Sequence, residues 1–323
     1  MTALSCALAA ALLVLLPASG CKPRERAPQA GRLSVVTTLF PLYDFARQAG
    51  GDRVEVHLLL PPGVESHGFE PKPDDIVRVS RADVFVYTNR FMEPWAARIV
   101  KSAGEGGGGP LVVDSSAGAR FLPLAPHSER DEHHGEEHGE EDHDHPAGAD
   151  PHIWLSIPNA KKMVENIAAG LAARDPANKN LYEKNAAAYE AELDALDRAF
   201  RDGLADCKTR IFLHGGHYAF GYLADRYGLT YLSAYAATAE AEPSPRKLME
   251  LITLMKKNSL GHIFYEELIT PRTAKVIADE TGASLLKLHG LHNVGRDELA
   301  GGATFVSLMR RNLENLRKGL QCR

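Results

Sequence analysis

The chain has 323 residues, 44% of them hydrophobic and 24% charged, with a formal net charge of -5. That length supports two lobes with substantial cores, and the composition excludes a chain dominated by disorder. One run, HSERDEHHGEEHGEEDHDH at 127–145, holds nine acidic residues and one basic residue, which leaves 36 basic against 33 acidic elsewhere; a body so near neutrality offers no electrostatic footprint for nucleic acid.

The first twenty residues, MTALSCALAAALLVLLPASG, carry no charge and contain an apolar stretch from Leu8 to Leu16. This stretch is too short to span a membrane and fits the apolar region of a secretory signal, so residues 1–20 are expected to be a signal peptide and the protein to be exported. Ala18-Ser19-Gly20-Cys21 resembles a bacterial lipobox, which implies lipidation of Cys21, a linker over 21–32, and a membrane-anchored protein in the periplasm or on the cell surface. It departs from the pattern at Ala18, where leucine is usual, and in having no Lys or Arg before the apolar stretch; the alternative is an ordinary signal peptide cut near Gly20 with Cys21 free. Removal of Cys6 and acylation of Cys21 leave Cys207 and Cys322 as an even pair in an oxidising compartment. A disulfide between them is expected, with two unpaired thiols as the alternative.

From Leu33 onward, β-branched and aliphatic runs alternate with helical stretches: SVVTTL (34–39), VEVHLLL (54–60), DVFVYT (83–88) and LVVDS (111–115). A second series follows after residue 205, with TRIFLH (209–214), LTYLS (229–233), HIFYE (262–266) and ASLLKL (283–288). The intervals are long enough for helical crossovers, so the pattern predicts two parallel-sheet α/β lobes, over 33–157 and 206–323. Between them, residues 158–205 read as helix, broken at Asp175-Pro176. Asp175 suits an N-cap and Pro176 a first turn, so a helix of ~30 residues, roughly 45 Å long, is expected from there to about Ala205 as a strut between the lobes. GEGGGG (104–109) lacks a following Gly-Lys-Ser/Thr and reads as a flexible connection.

The run at 127–145 has no aliphatic or aromatic side chain to bury, so it reads as a solvated loop. Its six histidines, His127, His133, His134, His138, His143 and His145, are free to bind a borderline cation, where glutamate and lysine would have served solubility alone. Other histidines fall just beyond strands, at the edge where α/β sheets place ligands. His67 follows VEVHLLL, His152 opens HIWLS, His214 and His217 end TRIFLH around Gly215-Gly216, and His289 and His292 follow ASLLKL. His57 and His262, within strands, are expected to be structural. Four imidazoles converging from separate strand ends would suit a tetrahedral Zn2+ in a cleft between the lobes.

Five ordered segments, PPGVESHGFEPKPDDI, DPHIWLSIPNA, HYAFGYLADRYGL, IFYEELITPRTAKVIADETG and GATFVSLMRRNLENLRKGL, resemble the signatures of the zinc/manganese ABC-transporter substrate-binding proteins, the ZnuA/TroA-like family. The resemblance covers residues 33 to 320. It implies two α/β lobes bridged by a long rigid helix, a metal ion in the interlobe cleft, and His67, His152 and His217 as ligands. For the fourth place, where many relatives have an aspartate, LHGLHN offers His289 first and His292 in reserve, with a water as a further option. Glu266 is a candidate ligand or a charge behind one, and His214 a further candidate. The resemblance also implies that the histidine-rich loop collects zinc or senses its excess.

The function expected is that of an extracytoplasmic zinc-binding receptor, a monomer, that delivers Zn2+ to an ABC permease. A histidine in the third place favours Zn2+ over Mn2+. The alternatives are a manganese receptor of the same type, a secreted zinc hydrolase using three histidines, a bound water and Glu266 as base, or an adhesin or zinc buffer. No HExxH or GxSxG motif is present, and no enzyme is expected.

Overall fold

The computed structural model describes residues 31–105, 108–124, 148–235, 243–268 and 270–323. The expected signal peptide, Cys21 with most of its linker, and the histidine-rich run with His127, His133, His134, His138, His143 and His145 lie outside the described residues.

Among the described residues, eight strands fall on the β-branched and aliphatic runs. β1 (Leu33–Thr37), β2 (Val54–Leu58), β3 (Val84–Tyr87) and β4 (Leu111–Asp114) form one sheet in the order β2-β1-β3-β4. β5 (Ile211–His214), β6 (Thr230–Ser233), β7 (His262–Tyr265) and β8 (Ser284–Lys287) form the other, in the order β6-β5-β7-β8. Every pairing is parallel. Parallel neighbours need crossovers, supplied by α1 (Phe40–Gly50), α2 (Pro73–Ser80) and α3 (Ala96–Glu105) in the first lobe. In the second they are α6 (Gly221–Tyr227), α7 (Pro245–Lys257) and α8 (Arg272–Thr281). Ser244 starts α7 by accepting the Lys247 N–H, with Pro245 in the first turn, as a serine cap before proline should. Gly104 and Glu105, expected to begin a flexible connection, instead close α3.

The strands are short and alternate sides as a pleated chain must. Val35, Val84 and Val86 face α1 and α4 (Ile157–Arg174), while Val36 and Phe85 pack on the opposite face with Val79, Trp95 and Ile99. In the second sheet Phe212 and Phe264 face inward, and Leu213 and Ile263 pack outward under α7 and α8. The two inward faces belong to one continuous core.

The helical segment 158–205, expected to break at Asp175-Pro176, falls into α4 and a second helix. α4 packs on α1, β3 and β4, within the first lobe; α5 (Lys179–Gly203) touches α1 and α4 on one side and α10 (Phe305–Leu320) on the other. Asp175 does not cap a helix start. Its carboxylate accepts from Asn178 Nδ2 at 2.7 Å and from the Tyr182 hydroxyl at 2.8 Å, and Pro176–Asn178 form a 3-10 turn. α5 therefore has 25 residues, about 37 Å at the helical rise per residue, against the roughly 45 Å expected. Its buried stripe runs through Tyr182, Ala186, Tyr189, Leu193, Leu196 and Phe200.

A buried carboxylate joins the parts. Asp44 on α1 accepts from the Tyr189 hydroxyl of α5 at 3.1 Å and from the Phe305 N–H that opens α10 at 2.8 Å. The α10 terminus itself supplies partial positive charge. Cys207 and Cys322 are bonded, S–S 1.98 Å, linking the approach to β5 with the residue past α10.

Candidate metal centre

In each sheet the strand order reverses beside the first strand, so the carboxyl ends of β1 and β3, and of β5 and β7, open a crevice where α/β folds place ligands. His67 arrives on the loop after β2, and His152 stands just before the turn Ile153–Leu155 that leads into α4. His217 follows β5 through Gly215-Gly216, and His292 lies on the loop after β8. Gly216 has no substitute, since a Cβ there would collide with Glu266 Oε1 and the His214 ring.

One nitrogen from each of His67, His152, His217 and His292 lies within 4.8 Å of all the others. His152 Nε2 is 3.3 Å from His67 Nε2, and His217 Nε2 is 3.2 Å from His292 Nε2. Four nitrogens about 2.05 Å from a zinc ion at tetrahedral angles would be about 3.3 Å apart, and these two separations match that edge length. Three of the rings are buried and His67 is half-buried, as suits an ion held away from bulk water.

The far nitrogens decide which lone pairs face inward. His152 Nδ1 is 2.7 Å from Asp150 Oδ1, and His217 Nδ1 is 2.5 Å from Glu266 Oε2. Each carboxylate takes an Nδ1–H and leaves Nε2 as the metal-facing donor, the arrangement that fixes tautomer and raises ligand basicity. Asp150 Oδ2 is buried and accepts no hydrogen bond among the described residues. A buried carboxylate oxygen without a donor is costly unless a cation offsets its charge, and a dication among the four rings would do so. Two carboxylates behind four neutral imidazoles match the charge of one Zn2+.

Without metal, burial sets the titration. Burial, reinforced by charge at His217, holds His67 down at about 4, and burial with the neighbouring rings pushes His152 and His292 well below the usual histidine range. Burial also opposes charge on His217, but the Glu266 carboxylate outweighs it and raises that ring. For Glu266, burial works upward and the charge and hydrogen bond of His217 reverse it, to about 2. Asp150 faces an uncharged ring, and burial pushes it up to about 7. In the absence of a metal, a positive charge on the cluster thus settles on His217.

The first choice for the fourth ligand, His289, lies outside the cluster. Its ring is buried between carboxylates, Nδ1 3.2 Å from Glu267 and Nε2 3.4 Å from Glu298, and its Nδ1 also accepts the Leu291 N–H at 2.9 Å. Leu291, at φ 61°, takes the left-handed conformation between the two histidines, and the reserve choice, His292, is the one beside His217. Glu266 acts behind His217 and is not among the four converging residues. His214 is fully buried against the Phe220 ring, with neither ring nitrogen bonded among the described residues, and it too stands outside the four. Asp150 and Trp154 were not singled out from sequence. Asp150 carried a signal, an acidic residue two places before His152; Trp154, whose ring packs on His152 and His292 and whose Nε1–H donates to the Gly290 carbonyl at 2.8 Å, carried none.

Residues 35–319 match the model of a protein family described as zinc-uptake complex component A, periplasmic. The high-affinity zinc uptake system protein ZnuA of Bacillus subtilis is 36% identical over 314 residues, 97% of this chain and 96% of that protein. The zinc-binding lipoprotein AdcA of Streptococcus pneumoniae is 36% identical over 288 residues, 89% of this chain. The chain spans only 56% of the length of that streptococcal relative. The Zn(II)-bound ZnuA-like domain of S. pneumoniae AdcA superposes with a TM-score of 0.73 at 32% identity, over 90% of this chain and 99% of the domain. With this match across nearly all of the described fold, the chain belongs to the zinc-uptake complex component A family.

Proposed function

We propose that the protein is an extracytoplasmic receptor that captures Zn2+ between its lobes and delivers it to an ABC permease in the membrane. The observation that carries this reading is the convergence of His67, His152, His217 and His292, two histidines from each side of the cleft, with Asp150 and Glu266 behind two of them. His67, His152, His217 and His292 are the zinc ligands. Zinc is the cargo here: four imidazoles complete its tetrahedron and leave no open position for a metal-bound water, which is what a receptor needs and a zinc hydrolase lacks. Mn2+, a harder ion that prefers oxygen donors, fits this nitrogen set poorly. Because each lobe supplies half the ligands, moving the lobes apart releases the ion.

The name of the B. subtilis relative, a high-affinity zinc uptake system protein, supports the transport role, and that of the pneumococcal relative, a zinc-binding lipoprotein, supports an anchored form. The anchor is Cys21, and the anchored receptor works as a monomer whose lobes are joined by α5.

Metal analysis with competitive zinc titration, on the exported chain with and without residues 127–145, tests the assignment. One tight equivalent that survives the deletion supports the cleft site. Loss of all tight binding on deletion, or unchanged binding after alanine substitution at His67, His152 and His217 in turn, refutes it.

A further inference from the structure

The residues on either side of the histidine-rich run are clasped together. Pro123 and Ala149 form an antiparallel bridge, the Leu124 N–H donates to the Gly148 carbonyl at 2.7 Å, and the Asp150 N–H to the Leu122 carbonyl at 2.9 Å. This clasp holds Asp150, and Asp150 in turn orients His152. Within its own lobe the clasp is flanked by Asn159, which bonds both the N–H and the carbonyl of Arg120, and by Asn89, which donates to the Pro151 carbonyl; the contacts to Leu122 and Asp150 themselves come from the opposite lobe. Tyr222, buried on α6, donates its hydroxyl proton to the Asp150 carbonyl at 2.8 Å and accepts the Leu122 N–H at 3.0 Å. At the adjacent position, a Cβ at Gly221 would come within 2.8 Å of Asp150 Oδ2, so α6 lies directly against the carboxylate. Arg120 reaches Asp225 on the same helix at 2.9 Å.

We propose that Tyr222 is a positioning residue for zinc capture: from the second lobe it fixes the clasp that aims Asp150, and through Asp150 the first lobe's ligand His152. The proposal rests on the zinc-receptor reading and adds a dependence that the four ligands alone do not have. The second lobe supplies His217 and His292 directly and governs His152 as well, so three of four imidazoles answer to it. Contacts to groups behind a metal ligand affect metal binding by about 10- to 100-fold when removed, and the phenol stands one residue further back, at the near end of that range.

The test compares Tyr222→Phe with Tyr227→Phe, which removes a second buried hydroxyl from the same helix, one that donates to Asp197 at 3.0 Å and does not touch the clasp. Zinc dissociation is measured by stopped-flow chelator competition on the whole exported chain. The His152 Nδ1–H resonance, assigned by its absence in His152→Gln, is followed in metal-free protein. Tyr222→Phe is expected to release zinc about 10-fold faster with one equivalent still bound, and to broaden or lose the His152 proton signal; Tyr227→Phe is expected to change neither. Equal zinc kinetics and an intact signal in Tyr222→Phe overturn the proposal, as does an equal effect of Tyr227→Phe. Amide exchange in the unsubstituted protein gives a reading that needs no variant: the Leu122 N–H is expected to be more protected with zinc bound than without, and equal protection counts against the proposal. The imidazole signal is read without metal, so a failure of Tyr222 to position His152 is distinguished from a failure of the chain to bind zinc.

Discussion

Replacing His292 or His289 by alanine separates the ligand that the geometry selects from its neighbour three residues earlier. Structural zinc sites with four ligands have apparent binding free energies of about 10–16 kcal/mol, or about 3 kcal/mol per ligand, of which a replacing water recovers part. At about 1.4 kcal/mol per factor of ten, His292→Ala should raise the zinc Kd by about 100-fold. The 3.2 Å separation of His292 Nε2 from His217 Nε2, close to a tetrahedral edge, is why the full ligand contribution is at stake. His289→Ala removes a ring held by Glu298 and the Leu291 N–H, outside the ligand group. It should lower the unfolding free energy by about 1–3 kcal/mol and change the zinc Kd by less than about 5-fold, well below one ligand's share. Chelator competition at pH 7.5, with urea unfolding of the metal-free proteins, reads both quantities. A loss of zinc affinity in His289→Ala equal to or greater than that in His292→Ala would refute the assignment of the fourth ligand and the distance argument beneath it.

Zinc affinity should weaken with acid at a slope of about two protons per ion between pH 5 and pH 6.5, because His217, raised above its ordinary value, and Asp150, pushed up to about 7, both carry a proton there that zinc must displace. Among the four rings only His217 is raised, while His67 titrates at about 4 and His152 and His292 lie well below the usual range; a measured slope of four contradicts this, as does a slope near zero. Cys322→Ser opens a 115-residue link and should cost about 2–5 kcal/mol of stability by chemical denaturation. Its zinc Kd should stay within about 3-fold of the parent, since the bond precedes β5 and the ligands follow it. Asp44→Ala leaves the Tyr189 hydroxyl and the Phe305 N–H without their acceptor and should lower the unfolding free energy by about 2–4 kcal/mol. A loss below about 0.5 kcal/mol would show that the joint of α1, α5 and α10 does not depend on it.

What the sequence disclosed follows from which forces are local. The strand runs are legible because buried parallel strands demand β-branched and aliphatic side chains whatever surrounds them, and SVVTTL contains little else. Asp175 misled because its carboxylate has two uses, and its choice of Asn178 and Tyr182 over a helix start depends on a tyrosine seven residues away. The division of 158–205 between a lobe helix and a strut is set by contacts with β4 and α10, which no helical pattern encodes. For the site, placing histidines after strands gave six candidates, His67, His152, His214, His217, His289 and His292, from which the family resemblance drew His67, His152 and His217. The preference for His289 over His292 was the wrong way round, because the left-handed turn at Leu291 falls on a residue type that gives no warning of it. Asp150 and Glu266 differ in the same way: the histidine that each supports is two residues away in one case and 49 in the other.

The placement of Trp154 has a practical consequence. The chain has two tryptophans; Trp95 lies with Phe69 in the outer cluster of the first lobe, whereas the Trp154 indole rests on two imidazoles that would change electronic character on taking up a cation. Loading and unloading should therefore be visible in intrinsic emission, and the protein carries its own optical gauge of occupancy with no dye attached.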